Sequence, residues 1–188
     1  MQASIRGAVA PVPGLKIRRI GRSVAWLAVA GIVMAAVATL VIWSDADLIR
    51  RFVQPQVGLT DKLITPTGLP RFAGFLVALI PVSIFAYAMT QLARLFAAFA
   101  EGEVFEEENG RRLRRIGIAA VVGAVMQPVA RTAIGIALTL NNPPGQRMLA
   151  IGFDIGDLVA LIAGLALIAF AQVFREAVRL ARENGEFI

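Results

Sequence analysis

The stretch SVAWLAVAGIVMAAVATLVIW, residues 23–43, decides the fold class of this chain. It holds no charged residue, and at about 1.5 Å per helical residue it spans the roughly 30 Å hydrocarbon core of a bilayer. Trp26 and Trp43 lie near its two ends, where aromatic side chains favour the membrane interface. The alternative is a signal peptide, but the apolar part of a signal peptide has only about 7–15 residues. We therefore predict a membrane-spanning helix that is not cleaved.

Three more apolar blocks follow, at about 72–93, 116–140 and 153–174. The hydrophobic fraction of 57% and the mean hydropathy of +0.71 exceed those of ordinary soluble domains. Pro81 and Pro128 fall inside two of the blocks, where neighbouring membrane helices can accommodate a kink. The sequence predicts an all-α integral membrane bundle of four transmembrane helices, with residues 1–22 as a basic tail and 23–188 as a single domain.

The positive charges predict the orientation of these helices. Thirteen of the nineteen Lys and Arg residues lie in the N-terminal tail, in residues 94–115 and in residues 175–188, whereas five flank the opposite helix ends. Positive residues are retained on the cytoplasmic side, so both termini and the 94–115 hairpin are expected to be cytoplasmic. The expected localisation is the cytoplasmic membrane, as a multi-pass protein. Because the charges flank apolar blocks, the expected partners are membrane lipids, with no direct nucleic-acid binding.

The segment LFAAFAEGEVFEEENGRRLRRIG, residues 95–117, is the most polarised part of the chain. Gly102 is predicted to end the second helix, and the third is predicted to begin near Glu106. One interpretation is a topological hairpin whose charges keep it out of lipid. The other is a docking surface for a cytoplasmic partner, formed together with a C-terminal helix over 175–188. The residues predicted for that surface are Phe96, Phe99, Gly102, Phe105, Glu107, Asn109, Glu183, Asn184 and Phe187.

Arg131 is the most unfavourable residue to place in a membrane, roughly 13 Å from the end of its predicted span. Asp157 lies on the same leaflet side of the next span, and Asp154 is expected to be a second partner. Gln127 shares a helix face with Arg131 through i, i+4 spacing. An ion pair that locks two helices, a proton or anion path, and an arginine facing lipid headgroups are the three open interpretations.

Small residues recur at every fourth position of the fourth span: Gly152, Gly156, Ala160 and Gly164. Such spacing lets helices approach closely in lipid. It predicts either packing within the chain or homodimerisation.

The sequence offers little for catalysis. It contains no His and no Cys, which removes the commonest general base and metal ligands, and it has no phosphate-binding loop or nucleophile motif. We therefore expect no enzyme activity, no cofactor and no metal site.

The spacing L-F-x-x-F-x-x-G-x-x-F-x-x-x-N-x-x-x-L-R-R-I-G begins at Leu95 and ends at Gly117. It resembles the central signature of an uncharacterised bacterial family of small four-span membrane proteins, classed as a domain of unknown function. The C-terminal VFREAVRLARENGEFI, residues 173–188, is similar to that family's ending. Members are often encoded beside small helix-turn-helix regulators, so the resemblance implies a membrane-bound regulatory partner. It supplies no catalytic residue.

These observations favour a non-enzymatic interaction or regulatory module that acts through its cytoplasmic hairpin and C-terminal helix, with a small DNA-binding regulator as partner. The alternatives are a small transporter or channel component that uses Arg131 and Asp157, and an accessory subunit of a larger membrane complex.

Overall fold

A computed structural model of the chain describes residues 15–60, 64, 66–104, 106–143 and 152–185. Throughout these residues the regular structure is helical, which confirms the all-α class. The helices are α1 (Leu15–Ser44), α2 (Ala46–Leu48, continued by a π-helical turn over Ile49–Val53), α3 (Leu69–Glu101), α4 (Glu107–Thr139) and α5 (Ile155–Gly185). The four longer ones are long and apolar enough to cross a membrane, so the chain is of the multi-pass membrane class.

The four long helices form an open row in chain order, in which each helix packs on its chain neighbour. α1 packs on α3, α3 on α4, and α4 on α5. Among the described residues, no Cα–Cα approach of 8 Å or less joins α1 to α4 or α5, or α3 to α5. α3 and α4 therefore each have a neighbour on both sides, and α4 is the most buried of the four helices, whereas most side chains of α1, α3 and α5 are left to face lipid.

One end of the row, which we call the loop end, is closed by residues 45–68. This segment folds back over α1, α3 and α4 and supplies fully buried apolar side chains, Ile49 and Leu59 among them. The full cluster is Trp43, Ile49, Val57, Leu59, Ile64, Ala78, Ile134 and Leu138. The main apolar core therefore lies at one end of the helices.

Local polar contacts fix the path of this loop segment. Asp45 caps α2, because its carboxylate accepts a hydrogen bond from the Asp47 N–H at 2.7 Å. The buried Gln54 amide donates to the Leu59 carbonyl at 2.7 Å. Arg71 donates to the carbonyl of Trp43 and so satisfies the end of α1. The segment begins with these short helical turns, and its Pro- and Gly-rich remainder packs into the core.

The opposite end, which we call the hairpin end, contains the start of α1, the α3–α4 connection and the end of α5. Toward it α4 and α5 cross closely, since a Cβ on Gly117 would lie 2.7 Å from the carbonyl oxygen of Gly164. Buried residues recur along α5 at every seventh position: Asp157, Gly164, Ala171 and Val178. This spacing keeps a single face of α5 against α4.

Candidate functional site

The α3–α4 connection is a tight turn between two helix caps. Gly102 takes the left-handed conformation with φ 97°, and its N–H reaches the carbonyls of Ala98 and Phe99. Glu106 is extended and precedes the first residue of α4, Glu107. The predicted ends of both helices are confirmed within a residue. The local signals suffice here because a glycine and an acidic first turn act on their own helix.

Asn109 holds this turn from the inside. Its side chain is 1% exposed and donates to the backbone carbonyls of Glu103 and Val104, while its Oδ1 accepts from Arg112 at 3.1 Å. The expected role of Asn109 as an exposed contact is therefore corrected, because its polar atoms are bound within the hairpin. A buried amide that lost these partners would be strongly unfavourable.

Two of the four aromatic residues predicted for the docking surface lie in the described part of the chain. Phe96 and Phe99 are half-buried and stack edge-to-face with ring centroids 5.5 Å apart. Phe105 and Phe187 lie outside the described residues. Asn184 belongs to α5, but its side chain also lies outside the described part of the chain, whereas Glu183 is exposed.

A polar groove of about 600 Å³ lies between the first turns of α4 and the last turns of α5. It brings together two residues that the sequence predicted for one surface, Glu107 and Glu183. The complete lining is Glu107, Arg111, Gln172, Arg175, Glu176, Arg179 and Glu183. Sequence reasoning missed the four lining residues from Gln172 to Arg179, although polar side chains at 172, 175, 176, 179 and 183 form one helical stripe.

The α4 wall of this groove is densely charged and solvated. Glu108 accepts a hydrogen bond from Arg111 Nε at 2.7 Å and one from Arg115 at 3.0 Å. The hydrogen bond from Arg111, reinforced by the charges of Arg111, Arg115 and Arg112, lowers the pKa of Glu108 below its ordinary value. The same contact raises the pKa of Arg111. Both groups therefore stay charged at neutral pH.

The structure brings Arg131 and Asp157 together near the loop end. The guanidinium of Arg131 donates to the carboxylate of Asp157, and the two side chains are 22% and 11% exposed. Asp157 also accepts the N–H of Asp154 at 2.9 Å, while the Asp154 carboxylate accepts the N–H of Gly156 at 2.7 Å. The two aspartates thus cap the first turn of α5 reciprocally.

This geometry revises three details of the predicted polar group. Asp157 lies in the first turn of α5, because the helix begins at Ile155 and not at the predicted position 153. Asp154 serves as the helix cap instead of a second partner for Arg131. Gln127 is exposed, and in the described part of the chain no hydrogen bond joins it to the pair.

An apolar cavity of about 910 Å³ lies beside the pair, between α4 and α5. Val125, Val129, Leu158 and Leu161 are on its walls, and Asp157 is at its polar edge. Since the lining is mostly aliphatic, the cavity lacks the convergent polar groups that a solute path in a membrane needs.

The stripe of small residues does not follow the packed face of α5. Gly164 is buried against Gly117, Ala160 is half-buried, and Gly156 and Gly152 are exposed. Four residues turn an α-helix by about 40° more than a full circle, so a stripe with this spacing drifts away from a straight interface. Of the four positions, Gly164 is the one that makes a close backbone contact with α4.

No group of acidic side chains that could hold a metal ion occurs within the described ranges. In the comparison with known proteins, a family profile described as "Protein of unknown function (DUF2975)" matches residues 20–188. No curated protein and no solved structure matches the chain.

Proposed function

The chain belongs to the DUF2975 family of proteins of unknown function, as its resemblance to an uncharacterised membrane family implied, and we propose that it has a regulatory role at a membrane. In this proposal it is a non-enzymatic protein of the bacterial inner membrane. Its hairpin end lies in the cytoplasm and binds a small cytosolic DNA-binding regulator. The observation that carries the proposal is the polar groove shared by α4 and α5.

The distribution of arginines supports a cytoplasmic hairpin end. The described arginines at that end come from three separate parts of the chain, namely the start of α1, the α3–α4 hairpin and the end of α5. Cytoplasmic loops of membrane proteins are enriched in such residues. All three parts would then present their polar side chains to the same compartment.

The charges of the groove are suited to recognition more than to stability. Arg179 pairs with Glu176 at 2.5 Å and with Glu183 at 3.8 Å, and Arg111 pairs with Glu107 at 3.7 Å. Each of these pairs runs along one helix and is more than half exposed, so each contributes little to folding. The two walls carry solvated charges of both signs. A partner with complementary charges would bind them in a defined register.

In this proposal the groove receives a helical segment of the partner. Its α5 wall presents polar side chains at i, i+3, i+4 and i+7 spacing from Gln172 to Arg179, so they share one face of α5. Binding would hold the regulator at the membrane and away from DNA.

Site-specific photocrosslinking tests the proposal in living cells. A photoreactive amino acid at Glu183 or Gln172 lies in the groove, and the same probe at exposed Glu103 lies in the turn at the same end. We expect the two groove probes to capture one DNA-binding protein and the Glu103 probe to capture it far less. Adducts limited to the chain itself and to lipid would contradict the proposal.

A charge reversal in the groove gives the matched functional test. Arg175→Glu with Arg179→Glu reverses two positive charges on the α5 wall of the groove. Arg50→Glu with Arg51→Glu makes the same change in net charge at the loop end. The groove variant should release the regulator and change transcription of its target genes, whereas the loop-end variant should not. Equal transcription in the two variants would contradict the proposal even if both proteins are folded.

A further inference from the structure

A second groove at the hairpin end lies between α1 and α3 and collects arginine side chains. The helices meet closely there, because a Cβ on Gly21 would lie 2.7 Å from the carbonyl oxygen of Phe96. The groove has a volume of about 530 Å³, and its lining includes Arg18 and Arg22 of α1 and Arg94 of α3. Positive charge from two helices is therefore held at one site.

The lining changes from charged to apolar along the axis of α1. Arg18, Arg22 and Trp26 also line an adjoining cavity of about 610 Å³. They are spaced four residues apart and so share one face of the helix. Trp26 and Val29 lie about 12 and 16 Å further along the helix than Arg18, and Trp26 is 71% exposed. Along α1, guanidinium groups are followed by an interfacial tryptophan and then by aliphatic side chains. This order matches that of a phospholipid, in which a charged headgroup is followed by apolar acyl chains.

The arginines of this groove differ from those of the hairpin in their partners. Three hairpin arginines lie 2.7 to 3.8 Å from Glu108: Arg111, Arg112 and Arg115. By contrast, no ion pair involves Arg18, Arg22 or Arg94 in the part of the chain that the structure describes, and Glu101 is the single acid on the lining. The groove therefore carries a local excess of positive charge that an anion would neutralise.

We propose that this groove binds one anionic phospholipid of the cytoplasmic leaflet. Its phosphate lies among the guanidinium groups of Arg18, Arg22 and Arg94, and an acyl chain runs against Trp26 and Val29. Guanidinium groups donate paired hydrogen bonds to phosphate oxygens, and basic pockets between membrane helices favour anionic headgroups. A zwitterionic lipid of the same chain length gains less, because its headgroup carries no net negative charge.

Native mass spectrometry of the full chain tests this site. The protein is titrated with phosphatidylglycerol and with phosphatidylcholine that carry identical acyl chains. We expect phosphatidylglycerol to bind more tightly to the wild type, and R18Q/R22Q to weaken its binding at least tenfold, on the basis of roughly fivefold per basic residue at an anionic surface. R111Q/R115Q is the matched control, because it removes the same charge from arginines that already pair with Glu108.

Several results would overturn the proposal. One is equal binding of the two lipids by the wild type, and another is an equal loss of phosphatidylglycerol binding in the two double variants. A third is displacement of the lipid by millimolar inorganic phosphate, which would show that free phosphate is the ligand. If R18Q/R22Q loses its helical circular-dichroism signal, R22K replaces it, since lysine keeps the charge and loses the paired hydrogen bonds. Quenching of Trp26 by brominated phosphatidylglycerol, and less by brominated phosphatidylcholine, is the second expected readout.

Discussion

The loop end of this molecule buries apolar side chains and the hairpin end exposes charged ones, although the same helices join the two ends. At the loop end, Ile49 and Leu59 are 0% and 1% exposed, and an irregular segment closes over three helices. At the hairpin end, the surface consists of solvated arginines and glutamates around two grooves. The difference indicates that the loop end supplies stability, whereas the hairpin end leaves its charged side chains exposed to water, as the proposed function requires.

Helix α4 shows the same contrast within one element, because it has exposed ion pairs near its start and a buried one near its end. Its first turns carry Glu108, whose ion pairs involve side chains that are 23–52% exposed. Near its other end, Arg131 meets Asp157, and that carboxylate is 11% exposed. Partners that water can replace contribute little, whereas a buried charge depends on its partner.

Asp157→Ala should have the largest effect, a loss of about 3–5 kcal/mol of unfolding free energy, because it leaves Arg131 without its counter-charge. Glu176→Ala, which breaks an exposed pair with Arg179, should lower it by less than about 1 kcal/mol. Unfolding in detergent mixtures, followed by helical circular dichroism, measures both. An unchanged stability of Asp157→Ala together with a loss of solute flux would favour a transport path instead.

The charge exchange Arg131→Asp with Asp157→Arg sharpens the same prediction. It should recover only part of the lost stability, because an arginine at 157 does not accept the N–H of Asp154 and so does not cap α5. Full recovery would mean that the cap contributes nothing.

Leu59→Ala should lower the unfolding free energy by about 3 kcal/mol, since it opens a cavity in the loop-end core. Leu165→Ala on α5 is the matched control, because Leu165 is 54% exposed and faces lipid. Its effect should be much smaller, and similar losses in the two variants would remove the distinction between the loop end and the rest of the bundle.

Asn109→Ala should lower the unfolding free energy by about 1–3 kcal/mol, with the effect confined to the hairpin. Hydrogen exchange should quicken at the amides around Glu103 and Val104, whereas the loop end stays protected. Asn141→Ala, at an exposed asparagine of the α4–α5 connection, should leave exchange unchanged in the hairpin. If hydrogen exchange in the hairpin is also unchanged in Asn109→Ala, the Asn109 amide does not hold the turn.

The smallest effect concerns pH. The folded pKa of Glu108 is lowered by the Arg111 hydrogen bond, so its contribution to stability is present above the unfolded pKa and is lost as the pH falls through the folded pKa. Arg111→Gln should return the Glu108 pKa toward its ordinary value, measured by carbon NMR of labelled glutamate. Arg114→Gln removes the same charge without that hydrogen bond and should shift it less.

The sequence predicted best what depends on local signals. Gly102 and the acidic first turn of α4 act within their own helices, and uncharged blocks mark the spans whatever they pack against. It predicted less well what depends on tertiary contacts. Val57 and Leu59 come from a turn-rich segment whose burial follows from the meeting of three helices. Asn109 is a polar residue of a type that usually lies at the surface, and only the fold of the turn shows that its amide is buried.

Cysteine accessibility in intact cells tests the central claim most directly, because the chain contains no cysteine of its own. Single cysteines are placed at Glu103 in the hairpin, at Glu183 on α5 and at exposed Gln56 in the loop end. A membrane-impermeant reagent added outside should label Gln56→Cys, and should label Glu103→Cys and Glu183→Cys only after the membrane is opened. Labelling of Glu103→Cys and Glu183→Cys from opposite sides would contradict a four-span protein with one cytoplasmic recognition end.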